Sequence, residues 1–410
     1  MKTELICVGT ELLLGNILNT NAKYLAEKCA ELGLSLYYQT VVGDNDSRLT
    51  EMIKAAFERS DVVIFTGGLG PTSDDITKEV VSETFGLPLV YDEKAAENMT
   101  ERLNRFGVEI TENNYKQAYV PEGSMVLYNH NGTAPGILVE KNGKIAILLP
   151  GPPKEMQPMF EEYCVPFFKK RSGLEIDSVM VKLIGIGESS AAAKIDDIIE
   201  KNTNPTVAPY AKQSQVHLRI TAAAKDADEC KNMIAPVLKE IQDRLGDYIY
   251  TTDAAKDIED VVYDLLKEKK LTITTAESCT GGLLAGKIIN VSGASDVYKE
   301  GYVTYSDEAK MKNLGVSKET LDQYSAVSSQ CAEEMAIGAA KAAGADVAVV
   351  TTGIAGPEGG TEENPVGTVY IGVYYQGKTT VKRYSFGTNR QMVRDAACVR
   401  ALDMVRRAII

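Results

Sequence analysis

The chain has 410 residues, 44% of them hydrophobic and 25% charged, enough to bury more than one core, so two or three domains are expected. A formal charge of −13 leaves no basic surplus to neutralise phosphates, which excludes a general nucleic-acid binder. The seven cysteines (7, 29, 164, 230, 279, 331, 398) are not spaced as metal-binding pairs, and no apolar run reaches the roughly 20 residues of a membrane span, so a reduced, cytoplasmic protein without a membrane partner is expected.

From residue 5 to about 166, β-rich runs (5–8, 36–42, 62–66) alternate with helical ones (21–32, 47–59). This is the pattern of a doubly wound, mostly parallel sheet with helices on both faces, whose ligands gather at the strand C-termini. Two strand ends carry unusual loops, Gly9-Thr-Glu11-Leu-Leu-Leu-Gly15 and Gly67-Gly68-Leu-Gly70-Pro-Thr72-Ser-Asp74-Asp75, and a further apolar run, 145–149, stops at Pro150-Gly-Pro-Pro-Lys154-Glu-Met. The second loop joins anion-friendly N–H groups to adjacent carboxylates. Such oxygen ligands suit Mg²⁺ or a similar hard cation bridging phosphates, with Asp74 and Asp75, and Asp44 from another strand end, as candidate ligands. The plainer reading makes one of the pair a cap for the helix starting near Ile76.

A basic run, Lys169-Lys-Arg171, and a Ser-Gly pair mark a boundary over 166–176. The order strand (178–184), helix (189–200), strand (215–222), helix (226–245) then reads as a small α+β unit. Its Gly185-Ile-Gly187-Glu stretch could pass for part of a nucleic-acid clamp, but the flanks are not markedly basic and a packing turn is favoured.

The third unit, from 257, opens with a helix ending near Lys269-Lys270. Strand-like runs follow at 271–274, 303–305, 347–351, 366–375 and 379–386, with a closing helix from about 389, a mixed α/β layout. Between the first of these strands and an apolar helical run at 283–289 lies Thr275-Ala-Glu-Ser278-Cys-Thr-Gly-Gly282, which sets a hydroxyl and a thiol where free N–H groups and the positive end of a helix dipole collect. Neither histidine, His130 or His217, lies in the region after this turn, so a Ser-His-Asp relay within this domain is excluded.

If Ser278 is a nucleophile it needs another base. Lys310, in Gly301-Tyr-Val-Thr-Tyr305-Ser-Asp-Glu-Ala-Lys310, can take the proton if desolvation disfavours its ammonium form, with Tyr305 relaying or orienting that proton. Amides around Thr280, Gly281 and Gly282 would stabilise the oxyanion. The plain alternatives are a helix cap for Ser278, a packed aromatic for Tyr305 and a solvated helix residue for Lys310. Cys279 competes as nucleophile but lacks a histidine partner and ranks below the serine. The run Gly281 through Lys287 copies part of a phosphate loop, yet Ile288 stands where a magnesium-binding Ser or Thr belongs, so a nucleotide triphosphatase is rejected.

After 347–351 comes Thr352-Gly353-Ile-Ala-Gly356-Pro-Glu-Gly359-Gly360, whose four glycines in eight residues let a backbone approach an anion closely, Thr352 adding a hydroxyl. Arg390 and Arg394, one helical turn apart, could hold a phosphate by charge-assisted bonds. The plain alternative is a long surface turn with two solvated arginines.

Motifs in order along essentially the whole chain carry a family resemblance. Residues 67–75, with Gly9-Thr-Glu11 through Asn21 and Pro150-Gly-Pro-Pro-Lys-Glu155-Met, resemble the molybdopterin-binding-like domain at the start of CinA family proteins. Residues 275–282, 301–310 and 353–360 resemble the nicotinamide-nucleotide amidase domain of the same family. The chain divides accordingly into a first domain over 1–168, a small linking α+β domain over 176–252 and an amidase domain over 256–410.

The resemblance implies a cytoplasmic bacterial enzyme that hydrolyses the carboxamide of nicotinamide mononucleotide to nicotinate mononucleotide and ammonia, with no cofactor in that domain. Ser278 would be the nucleophile, Tyr305 and Lys310 its activators, and Thr280, Gly281, Gly282, Thr352, Gly353, Gly356, Gly360, Arg390 and Arg394 the substrate-binding candidates. For the first domain it implies a pyrophosphatase acting on ADP-ribose or a related nucleotide with a divalent cation, Mg²⁺ or Co²⁺. There Glu11, Gly67, Gly68, Gly70 and Thr72 would meet the nucleotide and Asp44, Asp74 and Asp75 the metal. Small-molecule nucleotides as ligands and a homodimer are expected of such proteins. The competing class is a non-catalytic nucleotide- or pterin-binding sensor or adaptor linked to competence or DNA damage.

Overall fold

Strands β1 (Lys2–Val8), β2 (Ser35–Val42) and β3 (Val62–Thr66) pair in parallel with β1 in the middle. Their sequences are apolar at successive positions because both faces of the sheet are covered. Leu5, Val62 and Ile64 enter one core with Leu25 and Phe160, while Ile6, Val63 and Phe65 enter another with Leu49 and Ile53. The short strands β4 (Leu89–Tyr91) and β5 (Tyr119–Pro121) pair with each other apart from this sheet. Strands β6 (Met125–Leu127), β7 (Gly136–Lys141) and β8 (Lys144–Leu149) complete it in the order β2-β1-β3-β8-β7-β6, with β8 parallel to β3 and the β8/β7 and β7/β6 pairs antiparallel. The doubly wound, mostly parallel expectation holds. The antiparallel edge goes beyond it, although Asn142-Gly143, with φ of 54° and 75°, is a strong two-residue hairpin signal. Because β2, β1, β3 and β8 run the same way, the loops after Val42, Val8, Thr66 and Leu149 emerge along one edge.

The computed structural model describes residues 1–212 and 214–410. They form two compact units, Met1–Asp177 with Ala222–Lys231, and Ser178–Thr221 with Asn232–Ile410. A small sheet is built from β9 (Glu175–Leu183), β10 (Thr206–Lys212), β11 (Gln215–Ala224) and β12 (Ile249–Thr251) in the order β10-β11-β9-β12. Sequence reading misses β10 because Pro209 interrupts it, which an edge strand tolerates. The helix expected over 189–200 is two short ones, Glu188–Lys194 and Asp196–Lys201, separated at Ile195.

The middle segment shares its interior with the C-terminal part. Ile184 and Tyr250 join the core of Ile258, Val262 and Leu402, and buried Lys182 donates to the Lys256 carbonyl at 2.8 Å and the Asp257 carboxylate at 2.9 Å. Gly185, at φ 103°, has Arg400 within 3.1 Å of where a Cβ would stand, which supports the packing-turn reading.

The C-terminal sheet comprises β13 (Ile273–Glu277), β14 (Tyr298–Val303), β15 (Val347–Gly353), β16 (Thr368–Tyr375) and β17 (Lys378–Ser385) in the order β14-β13-β15-β16-β17. The first three are parallel and the last two antiparallel, so the unit is mixed α/β as expected. Ile273, Val347 and Val349 pack on helices Ile258–Glu268 and Arg390–Ile409. Ala276, Ala348 and Val350 pack on the alanine-rich helix Ser329–Ala343. Among the described residues no helix is long and apolar enough to cross a membrane.

His217 lies in β11 at 3% exposure, with Nε2 3.1 Å from Gln215 Oε1. Burial, aided by the charges of Lys212 and Lys182, pulls its imidazole down to about 4. Between that value and the unfolded value near 6.5 the unfolded chain binds more protons, so the stabilising contribution is complete above the upper value and is lost as pH falls through the window. Denaturant midpoints measured at pH 7 and pH 4.5 should therefore fall more for the wild type than for His217→Gln.

Candidate active site

Strand β13 ends at Glu277, which is fully buried, and the Ser278 N–H continues the ladder to the Thr351 carbonyl at 2.9 Å. Gly281 and Gly282 follow with φ of 59° and 92°, left-handed values that a side chain would strain, and turn the chain into helix Leu283–Ile289. The free N–H groups at that helix start are taken by Glu277, whose carboxylate accepts from Gly282 at 2.9 Å, Leu284 at 3.0 Å and Ala285 at 2.8 Å. The Gly281 N–H donates to the Ser278 carbonyl at 3.1 Å. Of the amides expected to serve an oxyanion, those of Gly281 and Gly282 are thus committed elsewhere. Among the described residues the N–H groups of Cys279 and Thr280 donate to no oxygen, and the Thr280 hydroxyl shares a 2.7 Å bond with Thr351.

On the neighbouring segment, Ser306 caps helix Asp307–Leu314 by accepting the Ala309 N–H. Lys310 lies in the first turn of that helix and is 1% exposed. Its Nζ donates to the Thr304 carbonyl at 3.1 Å and to Ser278 Oγ at 3.4 Å, with the Asp307 carboxylate 4.0 Å away. The solvated-helix alternative for Lys310 is excluded, and Ser278, 9% exposed, is its partner. Tyr305 is placed differently. Strand β14 stops at Val303 rather than running over 303–305, and Tyr305 stands beyond it at 63% exposure, its hydroxyl accepting from Arg390 Nη2 at 3.3 Å. The proposed proton relay through Tyr305 is not among the hydrogen bonds of either Ser278 or Lys310. Cys279 is 5% exposed, and burial pushes its thiol up to about 12, which keeps it protonated and ranks it below the serine hydroxyl.

The glycine loop after β15 serves the chain's own packing. A Cβ at Gly353, Gly356 or Gly360 would meet the Thr368 carbonyl at 2.5 Å, the Val366 side chain at 2.4 Å or the Val366 nitrogen at 2.9 Å. The Thr352 hydroxyl is spent on the Ala326 carbonyl at 2.6 Å. Arg390, exposed at the start of the last helix, reaches the Gly356 carbonyl at 2.8 Å as well as Tyr305. Arg394 turns inward: Nη2 donates to the Thr280 carbonyl at 2.8 Å, and its buried Nε has no partner.

In the first unit the strand-end loops enclose a cavity of about 540 Å³, walled in part by Glu11, Asp44, Gly67, Gly68, Gly70, Asp74 and Asp75. Thr72 lines a second cavity of about 640 Å³ on the other side of its loop. Its hydroxyl is bonded to Asp74 and, at 2.6 Å, to Asp75, and the bond from Thr72 holds the Asp74 carboxyl below its ordinary value. Asp44 accepts both the N–H and the hydroxyl of Thr10 at 2.9 Å. Among the described residues no three acidic, histidine or cysteine side chains are grouped to hold a metal ion. Asp44, Asp74 and Asp75, the expected ligands, each give one carboxylate oxygen to Thr10 or Thr72.

Sequence reasoning also passes over the support of this site. Lys78 is buried, burial pulls its ammonium down to about 8, and it donates to the Lys116 carbonyl. Lys116 in turn donates to the carbonyls of Thr72, at 3.1 Å, and Asp75. Asn129 holds the Glu155 carboxylate at 2.8 Å across the cavity wall. Nothing in the spacing of these residues announces them.

Residues 255–409 match the CinA C-terminal domain, 178–251 the damage-inducible protein CinA KH domain, and 4–170 the family described as "Probable molybdopterin binding domain". A competence-damage inducible protein of Clostridium beijerinckii is 53% identical over 410 residues, 100% of both chains. The chain belongs to the CinA family. A CinA-like protein of Kosmotoga olearia is 52% identical over 410 residues, 100% of this chain and 99% of that one. The solved structure of the competence/damage inducible protein CihA from Agrobacterium tumefaciens is 39% identical, covers 39% of this chain and 99% of its own, and superposes with a TM-score of 0.36. The CinA C-terminal match contains Glu277, Ser278, Lys310 and Arg394 together.

The protonated state of Cys279 has a direct consequence. In the folded protein, peptide mass spectrometry should find Cys279 unmodified by iodoacetamide at pH 8 and labelled once the chain is denatured.

Proposed function

We propose that the C-terminal domain is an amidase that hydrolyses the carboxamide of nicotinamide mononucleotide, giving nicotinate mononucleotide and ammonia. The observation that carries this reading is the buried Lys310 Nζ lying 3.4 Å from Ser278 Oγ at a strand-to-helix turn. The Thr304 carbonyl at 3.1 Å and the Asp307 carboxylate at 4.0 Å fix the amine beside that hydroxyl, where it is placed to exchange a proton with it. Bonds of this length in an empty site tighten when substrate is bound.

Ser278 Oγ attacks the carboxamide carbon as its proton passes to Lys310 Nζ. The tetrahedral oxyanion is received by the N–H groups of Cys279 and Thr280, which among the described residues donate to no oxygen. Lys310 returns the proton to the leaving nitrogen, the C–N bond breaks and ammonia departs. A water then attacks the acyl-serine while Lys310 takes its proton, and the carboxylate product leaves as that proton returns to Ser278. Outside this centre, Arg390 and the Tyr305 hydroxyl make an exposed, hydrogen-bonding rim suited to the substrate's phosphate. The sequence-specific part of the reading comes from the family resemblance.

For the first domain we propose nucleotide binding at the 540 Å³ cavity, with pyrophosphate-bond hydrolysis of ADP-ribose as its reaction. The support is a glycine-rich wall for phosphates beside carboxylates at the C-terminal edge of a parallel sheet. Asp44, Asp74 and Asp75 would hold a divalent cation through the carboxylate oxygens that the threonines leave free, and that cation would neutralise phosphate charge.

Two measurements test these readings. Ammonia release from nicotinamide mononucleotide should fall by about 10³-fold or more in Ser278→Ala and in Lys310→Met, the latter at every accessible pH; wild-type rates in either variant would refute the dyad. For the first domain, the wild type should bind and cleave ADP-ribose in the presence of Mg²⁺ or Co²⁺, whereas binding without turnover would favour a sensor, and pterin binding without ADP-ribose cleavage a pterin-handling role.

A further inference from the structure

We infer that Glu277 and Arg394 form a clamp that positions the Ser278 turn, and that Arg394 works on the nucleophile's backbone rather than on the substrate's phosphate. The inference rests on the serine-nucleophile reading above. It starts from an instability. Two consecutive glycines in left-handed conformations, followed by a helix of only seven residues, make a turn with little of its own to hold it.

The clamp has two jaws. From the strand side, the Glu277 carboxylate takes the N–H groups of Gly282, Leu284 and Ala285 at 2.8 to 3.0 Å, so it both satisfies the orphan donors of the short helix and offsets its positive end. From the last helix, Arg394 Nη2 takes the Thr280 carbonyl at 2.8 Å, and the guanidinium lies 3.6 Å from where a Cβ on Gly281 would stand. Thr280 is then pinned at its carbonyl by Arg394 and at its hydroxyl by Thr351, while the following N–H, that of Gly281, is held by the Ser278 carbonyl. Among the described residues the amides of Cys279 and Thr280, the two that follow Ser278 in the chain, are left without an oxygen acceptor. The clamp thereby selects which donors are left for the oxyanion.

Glu277 and Arg394 touch no reacting atom in this scheme, so both are positioning residues. Their signature is a loss of Ser278 reactivity that does not depend on the phosphate of the substrate. The full-length protein is treated with a small fluorophosphonate, whose phosphorus bonds to Ser278 Oγ as fluoride leaves, and the labelling rate is read by mass spectrometry. The same variants are assayed with nicotinamide mononucleotide and with its dephosphorylated riboside.

Glu277→Gln places an NH₂ group where an N–H must be accepted, and Arg394→Met removes the guanidinium. Each should slow labelling by about 10- to 100-fold, the cost of a misplaced reacting group. Each should lower kcat for the two substrates by the same factor with little change in KM. Arg394→Lys should recover part of the rate, since one N–H suffices for the Thr280 carbonyl.

Circular dichroism and a thermal midpoint accompany each variant; should Glu277→Gln fail to fold, the Arg394 pair decides. Unchanged labelling in the folded variants would overturn the clamp. A loss confined to the phosphorylated substrate, expressed in KM, would overturn it in favour of a phosphate ligand. No labelling of the wild type at Ser278 would instead remove the nucleophile reading beneath it.

Discussion

The C-terminal site depends on a lysine side chain kept out of water beside a serine. Lys310 is 1% exposed, and among the described residues its polar end is met by one carbonyl, one hydroxyl and a carboxylate at 4.0 Å. The amine is thereby fixed in place against the serine hydroxyl. Everything around it serves the same end. The helix carrying Lys310 starts at a serine cap, and the Thr304 N–H is tied to the Glu277 carbonyl, so the segment before that helix is joined to the strand that delivers Ser278.

The same economy of backbone polar groups explains why the turn is not a general anion site. A helix start with two glycines before it invites a phosphate, yet Glu277 already occupies three of its N–H groups. Arg390 and the Tyr305 hydroxyl lie outside the turn, on an exposed rim, while Ser278 and Lys310 are buried. Gly353 and Gly67 also lie where the chain passes close to itself, Gly353 against Thr368 and Gly67 where a Cβ would stand 2.1 Å from the Val8 carbonyl.

In the first unit the geometry is set by parallel strand pairing. With β2, β1, β3 and β8 running in one direction, their following loops share an edge, and the cavity there collects Glu11, Asp44, Asp74 and Asp75 from distant parts of the chain. The carboxylates are kept busy by local hydroxyls, and the loop bearing two of them is braced from beneath by Lys116 and the buried Lys78. Such bracing makes the loop part of a rigid frame, which is where a binding site is best placed.

Periodicity and turn chemistry determined much of this protein without coordinates: the alternation of apolar strands and helices, the strand-to-helix turn at Ser278, and the absence of a usable histidine, with Tyr305 and Lys310 as the candidates to stand in for it. These are legible because they rest on local spacing and on residue types whose reactivity is intrinsic. The tertiary structure alone decided which groups meet. It sent Tyr305 to Arg390, turned Arg394 back onto Thr280, and buried Glu277 as a cap that a reading of strand periodicity passes over. It also joined the middle segment to the C-terminal core through Ile184 and Tyr250. Contacts between residues more than a hundred positions apart, such as Arg394 with Thr280, depend on how sheets and helices pack, and no pattern within a short window of sequence encodes that.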